Sequence, residues 1–290
     1  MKQIIFTLVA ALCTLAIKAQ DTIRAKVDTI HVGNMIIIKT TAADNPKKHS
    51  TTVTMGSRRQ KSSRFSTAGF IIDFGFANWN DKTDYTSSTA NNYVVNRPST
   101  AALGTNDLNL RNGKSSNINL WFFMQRLNLI KRSVNLKYGF GIEMNNYRFK
   151  TAVSFKEGGS NPYNPTQNIS HPFAFRDSIS FTKNKLAADY ATIPLMLNFR
   201  TNPNSSNKGI SVSAGVSVGY LYSTRNKQIS TERGKRKNHG DYGLEKWKFS
   251  YIGELGLGPV RLYGSYSPNS IFEKGFNIMP YAIGIRLSNW

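Results

Sequence analysis

The chain of 290 residues carries 38 Lys and Arg against 16 Asp and Glu, a formal net charge of +22. Its one cysteine, Cys13, lies in an apolar leader, which excludes disulfides and thiolate metal sites from the rest of the chain. No stretch after that leader approaches the roughly 18 apolar residues that a membrane-crossing helix needs.

Lys2 is a short positive region, Ile4 to Ile17 is apolar, and Lys18-Ala19-Gln20-Asp21 is a polar exit. That order reads as a secretory signal over residues 1–20, cut after Ala19 or Gln20. Leu12 is not the small residue that lipidation at Cys13 requires. Export removes nucleic acid as the partner of the basic charge. It leaves outer-membrane lipid phosphates, lipopolysaccharide and polyanionic glycans, with a plainly solvated basic surface as the alternative.

Residues 21–65 differ in composition from residues 66–290. Asp28 to Val32 and Met35 to Ile38 flank Gly33-Asn34 and read as two short strands about a turn. Asp44 to Arg64 is rich in Ser, Thr, Lys and Arg and reads as flexible. The expectation is a basic periplasmic extension over 21–65 and a barrel over 66–290.

From residue 66 onward, segments alternate apolar and polar residues with period two, the strand period. In the first, Ala68 to Trp79, Phe70, Ile72, Phe74 and Phe76 share a face opposite Gly69, Asp73 and Gly75. In the second, Asn117 to Leu129, Ile118, Leu120, Phe122 and Met124 are expected outward, while Trp121 and Phe123 break the alternation. The third runs from Val134 to Phe149, with Lys137 and Glu143 on its polar face, and the fourth from Ala191 to Thr201. The fifth, Ile210 to Tyr222, sets Val212, Val216 and Val218 against Ser211, Ser213 and Ser217. The sixth is Trp247 to Leu257, the seventh Val260 to Ser267, and the eighth Met279 to Asn289.

Most segments hold at least the roughly 9–11 residues that a tilted strand needs to cross a bilayer. The connections alternate: long at 80–116, 150–190, 223–246 and 268–278, short at 130–133, 202–209 and Gly258-Pro259. Short turns on one side and long loops on the other mark outer-membrane barrels. The fold expected is all-β: an eight-stranded antiparallel up-and-down transmembrane β-barrel, with both termini periplasmic. A water-soluble β-sandwich is the alternative, since its apolar faces also alternate. Trp79, Tyr147, Tyr222, Trp247 and Tyr281 fall near strand ends, where aromatic rings sit at the headgroup level.

Phe140 to Phe149, Ile193 to Phe199, Val212 to Tyr220 and the closing Pro280-Tyr281-Ala282-Ile283-Gly284 resemble strands of the PorT-like outer-membrane β-barrel proteins of Bacteroidota. The resemblance covers about residues 70–290 with order preserved. It implies an eight-stranded barrel in the outer membrane, and some relatives are linked to secretion machinery. It transfers no site residue. Trp290 is out of phase with Ile285 and Leu287, a departure from the pattern.

Asp73, Lys137, Glu143, Asn198, Arg200, Lys248, Glu254, Arg261 and Arg286 fall on the polar faces and so point into the lumen. Eight strands leave an interior that side chains nearly fill, so these charges read as a structural plug or, alternatively, a narrow ion path. Arg225, Lys227, Arg233, Lys235, Arg236 and Lys237 make residues 223–246 a basic loop. It reads as a solvated, mobile loop, with lipopolysaccharide phosphates as its alternative partner. No histidine lies in a barrel segment; His171 and His239 fall in long loops, and His31 and His49 in the extension. No enzyme activity, metal or cofactor is expected. The function expected is structural or interactive at the cell envelope, with an envelope or secretion protein as partner; a narrow pore or transport component is the alternative.

Overall fold

The computed structural model describes residues 27–32, 35–41, 49–54, 64–202, 209–258 and 260–288. The expected signal segment, Cys13, Pro259 and Trp290 lie outside them. The chain divides into two units, Met1–Ser62 and Ser63–Trp290. In the first, strands Val27–Val32, Met35–Thr41 and His49–Thr54 pair antiparallel in that order. The third strand lies inside the stretch expected to be flexible. Its run of Thr residues is polar but β-branched, and β-branched chains favour extended backbone.

The second unit is a closed barrel of eight antiparallel strands. They are β1 (Ile71–Asp81), β2 (Ser116–Ile130), β3 (Val134–Arg148), β4 (Lys183–Arg200), β5 (Ile210–Ser230), β6 (Trp247–Leu257), β7 (Val260–Tyr266) and β8 (Ile278–Leu287). Each strand pairs with its sequence neighbours, and β8 closes the ring on β1 from Ile278 opposite Asp81 to Leu287 opposite Ile72. One end of the barrel carries short turns, the other the long loops. At the turn end, Lys131 and Arg132 both adopt positive φ (44° and 61°), the tight hairpin geometry that suits strand twist. Asn128 Oδ1 accepts the Arg132 N–H at 2.7 Å and helps hold that turn.

Apolar side chains face out. Phe74, Phe76, Ile193, Leu195, Leu197, Val212, Val216, Phe249, Ile283 and Ile285 are all exposed on the barrel wall. A sandwich would bury them; this outer surface is apolar because its solvent is hydrocarbon. Tyr220, Tyr222, Trp247 and Tyr281 form part of an exposed aromatic collar toward the loop end, with the Tyr220 and Trp247 rings 5.0 Å apart.

Two sequence expectations fail at identifiable places. Met124 points inward and is fully buried. The β2–β3 register shifts between Trp121 and Phe123, so one extra residue flips the alternation beyond it. Phe122 and Phe123 are then both exposed, and the short strand Phe65–Ala68 continues the pairing with β2. Trp79 and Tyr147 do not join the outer collar either. Both point inward and stack at 4.7 Å.

The seam between first and last strands depends on close approach. Gly75 and Gly284 sit opposite each other and face inward. A Cβ on Gly284 would collide with the Phe74 carbonyl oxygen and lie 2.7 Å from the Tyr263 ring. The Tyr263 ring lies across both glycines, and its hydroxyl donates to Asn117 Oδ1 at 2.5 Å. Gly284→Val therefore overpacks the seam. A loss of about 1–3 kcal/mol is expected, read as a lower temperature for the gel shift between folded and unfolded barrel. An unchanged transition would show that the seam tolerates the bulk.

Candidate functional site

Inward positions of the barrel carry charge that alternation alone had placed there. Asp73 is fully buried on β1. Arg286 on β8 holds it through two bonds, Nε to Oδ1 at 2.7 Å and Nη2 to Oδ2 at 2.8 Å. The Trp121 indole N–H donates to Oδ2 at 2.7 Å, and Asn119 adds a bond at 3.2 Å. Arg286 also pairs with Glu254, and Glu254 pairs with Lys137 across the lumen. Ser213 donates to Glu254 at 3.3 Å and accepts from Asn198 at 3.0 Å, and Asn198 in turn accepts from Asn135 at 3.3 Å. Nearer the loop end Lys248 pairs with Glu143 and lies 5.3 Å from the Tyr190 ring centroid. Asn145 donates to Glu143 at 3.1 Å.

Three carboxylates (Asp73, Glu143, Glu254) thus face three cations (Lys137, Lys248, Arg286), all buried. The charges of these six side chains balance, which offsets part of the cost of burying them. The space left beside Asp73, Glu254 and Arg286 is about 30 Å³, roughly one water molecule's room. Arg261 and Arg200 lie at the turn end of this network, where the buried Arg261 is near enough for its charge to act on Glu254. Arg261 donates to the Ser288 carbonyl at 3.2 Å, and Arg200 is half-buried. Arg126 joins them there, close enough for the charges of Arg200 and Arg261 to act on it. The sequence reading missed Arg126 because the β2 bulge moved it to the inner face.

The loop end is closed by a cap with its own core. Helix Ser88–Tyr93 starts on the Ser87 hydroxyl, which accepts the Ala90 N–H at 3.2 Å. Strands Val94–Val95, Phe173–Arg176 and Val153–Lys156 form a small sheet beside it. Tyr93, Phe155, Tyr242 and Phe272, each from a different long loop, are buried in one cluster with Trp79, Tyr147 and Phe149. Tyr93 packs edge-on against Phe276 at 4.9 Å, and its hydroxyl donates to the Tyr242 carbonyl at 2.5 Å. Burial pushes the Tyr93 phenol pKa up. Arg176 clamps Asp107 with two bonds of 2.6 Å and also reaches the carbonyls of Ala101 and Ala102. That fork pins the first long loop onto the second, and the hydrogen bond to Asp107 raises the Arg176 pKa further.

Residues 223–246 are not a mobile loop throughout. β5 continues to Ser230, turns, and pairs with strand Gly234–His239. Arg225, Lys227, Lys235, Arg236 and Lys237 stand on this hairpin, with Arg233 in its turn. Arg233 pairs with Asp177 at 2.8 Å and Arg225 with Asp189 at 2.7 Å. β4 likewise begins at Lys183, before the expected start at Ala191. His171 and His239 are exposed at the loop end, on different elements.

A closed eight-stranded wall with an apolar outside and a paired, polar inside defines a membrane-spanning β-barrel. Residues 87–273, more than half of the chain, match the family of the outer membrane protein beta-barrel domain, and the chain belongs to that family. A comparison with curated proteins finds no match.

Glu254→Gln takes the carboxylate from Lys137 and Arg286 at once. Removing one partner of a buried ion pair costs about 3–5 kcal/mol, and this loss is expected in urea unfolding of the barrel in lipid vesicles. Lys114→Gln, at an exposed side chain, should change stability by no more than about 0.5 kcal/mol. Equal effects of the two would show that the lumen network does not brace the barrel.

Proposed function

We propose that this outer-membrane barrel is a non-enzymatic interaction protein that seals its own lumen, with the turn end and the N-terminal unit in the periplasm and the loop cap at the cell surface. Short turns on the periplasmic side are the usual arrangement of such barrels and support this orientation. The observation that carries the reading is the double closure of the interior. A neutral ion-pair network fills the lumen, and an aromatic core covers its loop end. The small space left beside Asp73, Glu254 and Arg286, about 30 Å³, supports a sealed rather than a conducting interior.

What the molecule then offers to others is surface. The cap has an open cavity of about 630 Å³ beside Tyr93, lined by His171, Asp241, Glu273 and Lys274 among others. Mixed charge around an aromatic floor suits a polar partner of the envelope. The PorT-like resemblance of the strands supports a protein partner, one belonging to secretion machinery included.

Two measurements test this. In planar bilayers the protein is expected to stay silent; discrete openings altered by Glu254→Gln would replace this reading with a narrow pore. For orientation, Lys274→Cys on the exposed cap should react with an impermeant maleimide in intact cells. Lys131→Cys in the exposed turn should react only after the outer membrane is opened. The reverse pattern would overturn the orientation.

A further inference from the structure

The outward face of the barrel changes character along β4. Phe199, Leu197, Leu195 and Ile193 meet hydrocarbon, and beyond Ala191 the same face carries Asp189, Lys185 and Lys183. β3 and β5 run up with it. Cross-strand register places Arg148 opposite Lys185, Lys185 opposite Lys227, and Lys227 opposite Lys237. Directly opposed residues project to one face with Cβ atoms about 5 Å apart. Four cations therefore stand side by side across four strands. The row two residues nearer the membrane holds Arg225 and His239, and the row two residues farther holds Lys183 and Lys235.

Like charges directly opposite one another destabilise a sheet, so the fold gains nothing from this arrangement. Asp189 on this face is taken by Arg225, and Lys183, Lys185, Lys227, Lys235 and Lys237 make no ion pair among the described residues. Lys185 donates to Asn146 on the same face, and Arg148 donates to the Thr182 carbonyl at 2.8 Å. Partial loss of hydration, then Lys183, Lys227 and Arg225, push the Lys185 ammonium down to about 8. Lys227 is lowered by the same two causes.

Height decides which anion fits. A tilted strand climbs about 2.5 Å per residue. The four-cation row thus lies on the order of 10 Å above the Tyr222 collar, with side chains long enough to reach lower. Lys and Arg side chains hung from that height reach down to the phosphate layer over the hydrocarbon, and the row is continuous with the lipid-facing wall below it. We propose that Arg148, Lys185, Lys227 and Lys237, flanked by Lys183, Lys235 and Arg225, bind the headgroup of an outer-leaflet glycolipid that carries two or more phosphates. The site rests on the orientation proposed above, with the cap outermost.

The test uses the full-length barrel in phosphatidylcholine nanodiscs doped with diphosphorylated lipid A. Native mass spectrometry counts lipid A retained per barrel. Retention is expected to fall at least about tenfold with fully dephosphorylated lipid A, and equally in the variant combining Lys185→Gln, Lys227→Gln and Lys237→Gln. Its heat-shifted migration on a gel checks that this variant is folded. A salt titration of the unaltered protein gives an independent reading, with retention dropping steeply as salt rises. Equal retention of the dephosphorylated lipid, or no salt dependence, would overturn the site, as would full retention by the folded triple variant. Equal binding of the acyl-free bisphosphorylated disaccharide would reassign it to free anions. Nanodisc retention does not depend on which side of a cell the cap faces, so its failure is distinct from failure of the cysteine labelling.

Discussion

Hydrocarbon offers no hydrogen-bond partner, so a strand that crosses it must find backbone partners on both sides. In this chain that demand is met by closing β8 onto β1, since every other strand already pairs with its sequence neighbours. Closure fixes the rest. It sends one face of each strand to lipid and the other to a cylinder only a few side chains wide. It also requires the first and last strands to approach tightly. Gly75 and Gly284 meet there, and Tyr263 from β7 covers them and bonds to Asn117 on β2. The seam is thus held by backbone pairing and by a side chain that bridges past it.

An interior this narrow leaves each inward group dependent on another side chain. Lys137 with Glu254, and Glu143 with Lys248, both join β3 to β6, strands that are not neighbours in the wall. Arg286 reaches Asp73 on the adjacent strand and Glu254 on a more distant one. These pairs brace opposite walls as well as cancelling charge. Replacing them with apolar side chains would remove the desolvation cost but also those cross-links. The cap works on the same interior from above. Its aromatic core packs in one cluster with Trp79 and Tyr147 at the loop-end mouth.

Strands were legible in the sequence wherever lipid met one face and polar groups the other. β3, β6 and β8 read correctly because nothing interrupts their alternation. Met124 was misplaced because a bulge adds one residue to β2; the broken alternation at Trp121 and Phe123 marked the place but not the change of face beyond it. Trp79 and Tyr147 have the chemistry of interface aromatics, but they share the phase of Asp73 and Glu143 along their strands, which turns them inward beneath the cap. The lower ends of β4 and β5 were clear, while their upper ends vanished into loops. There the outward face changes from Leu and Val to Lys, so hydropathy no longer alternates although the backbone does. The inward charges could be named one by one, but their partners could not, since pairing across a lumen depends on tilt and stagger. The cap core was invisible for a related reason. Tyr93, Phe155, Tyr242 and Phe272 lie in separate loops, each without a local pattern.

The charge of the chain takes on meaning once the lumen is counted. Its three carboxylates and three cations cancel, so the excess behind the net +22 lies outside that network. Part of it stands at the turn end with Arg126, Arg200 and Arg261. Another part stands on the extended sheet of β3, β4 and β5, in register from Arg148 to Lys237. A flexible basic loop would let such charges spread apart and stay hydrated. A paired sheet holds them about 5 Å from one another at fixed height. Rigidity here raises the repulsion within the row and, by the same fixed spacing, lowers the ordering cost of meeting a headgroup with several phosphates. The sheet that closes the barrel in hydrocarbon therefore also sets the spacing of charge above it.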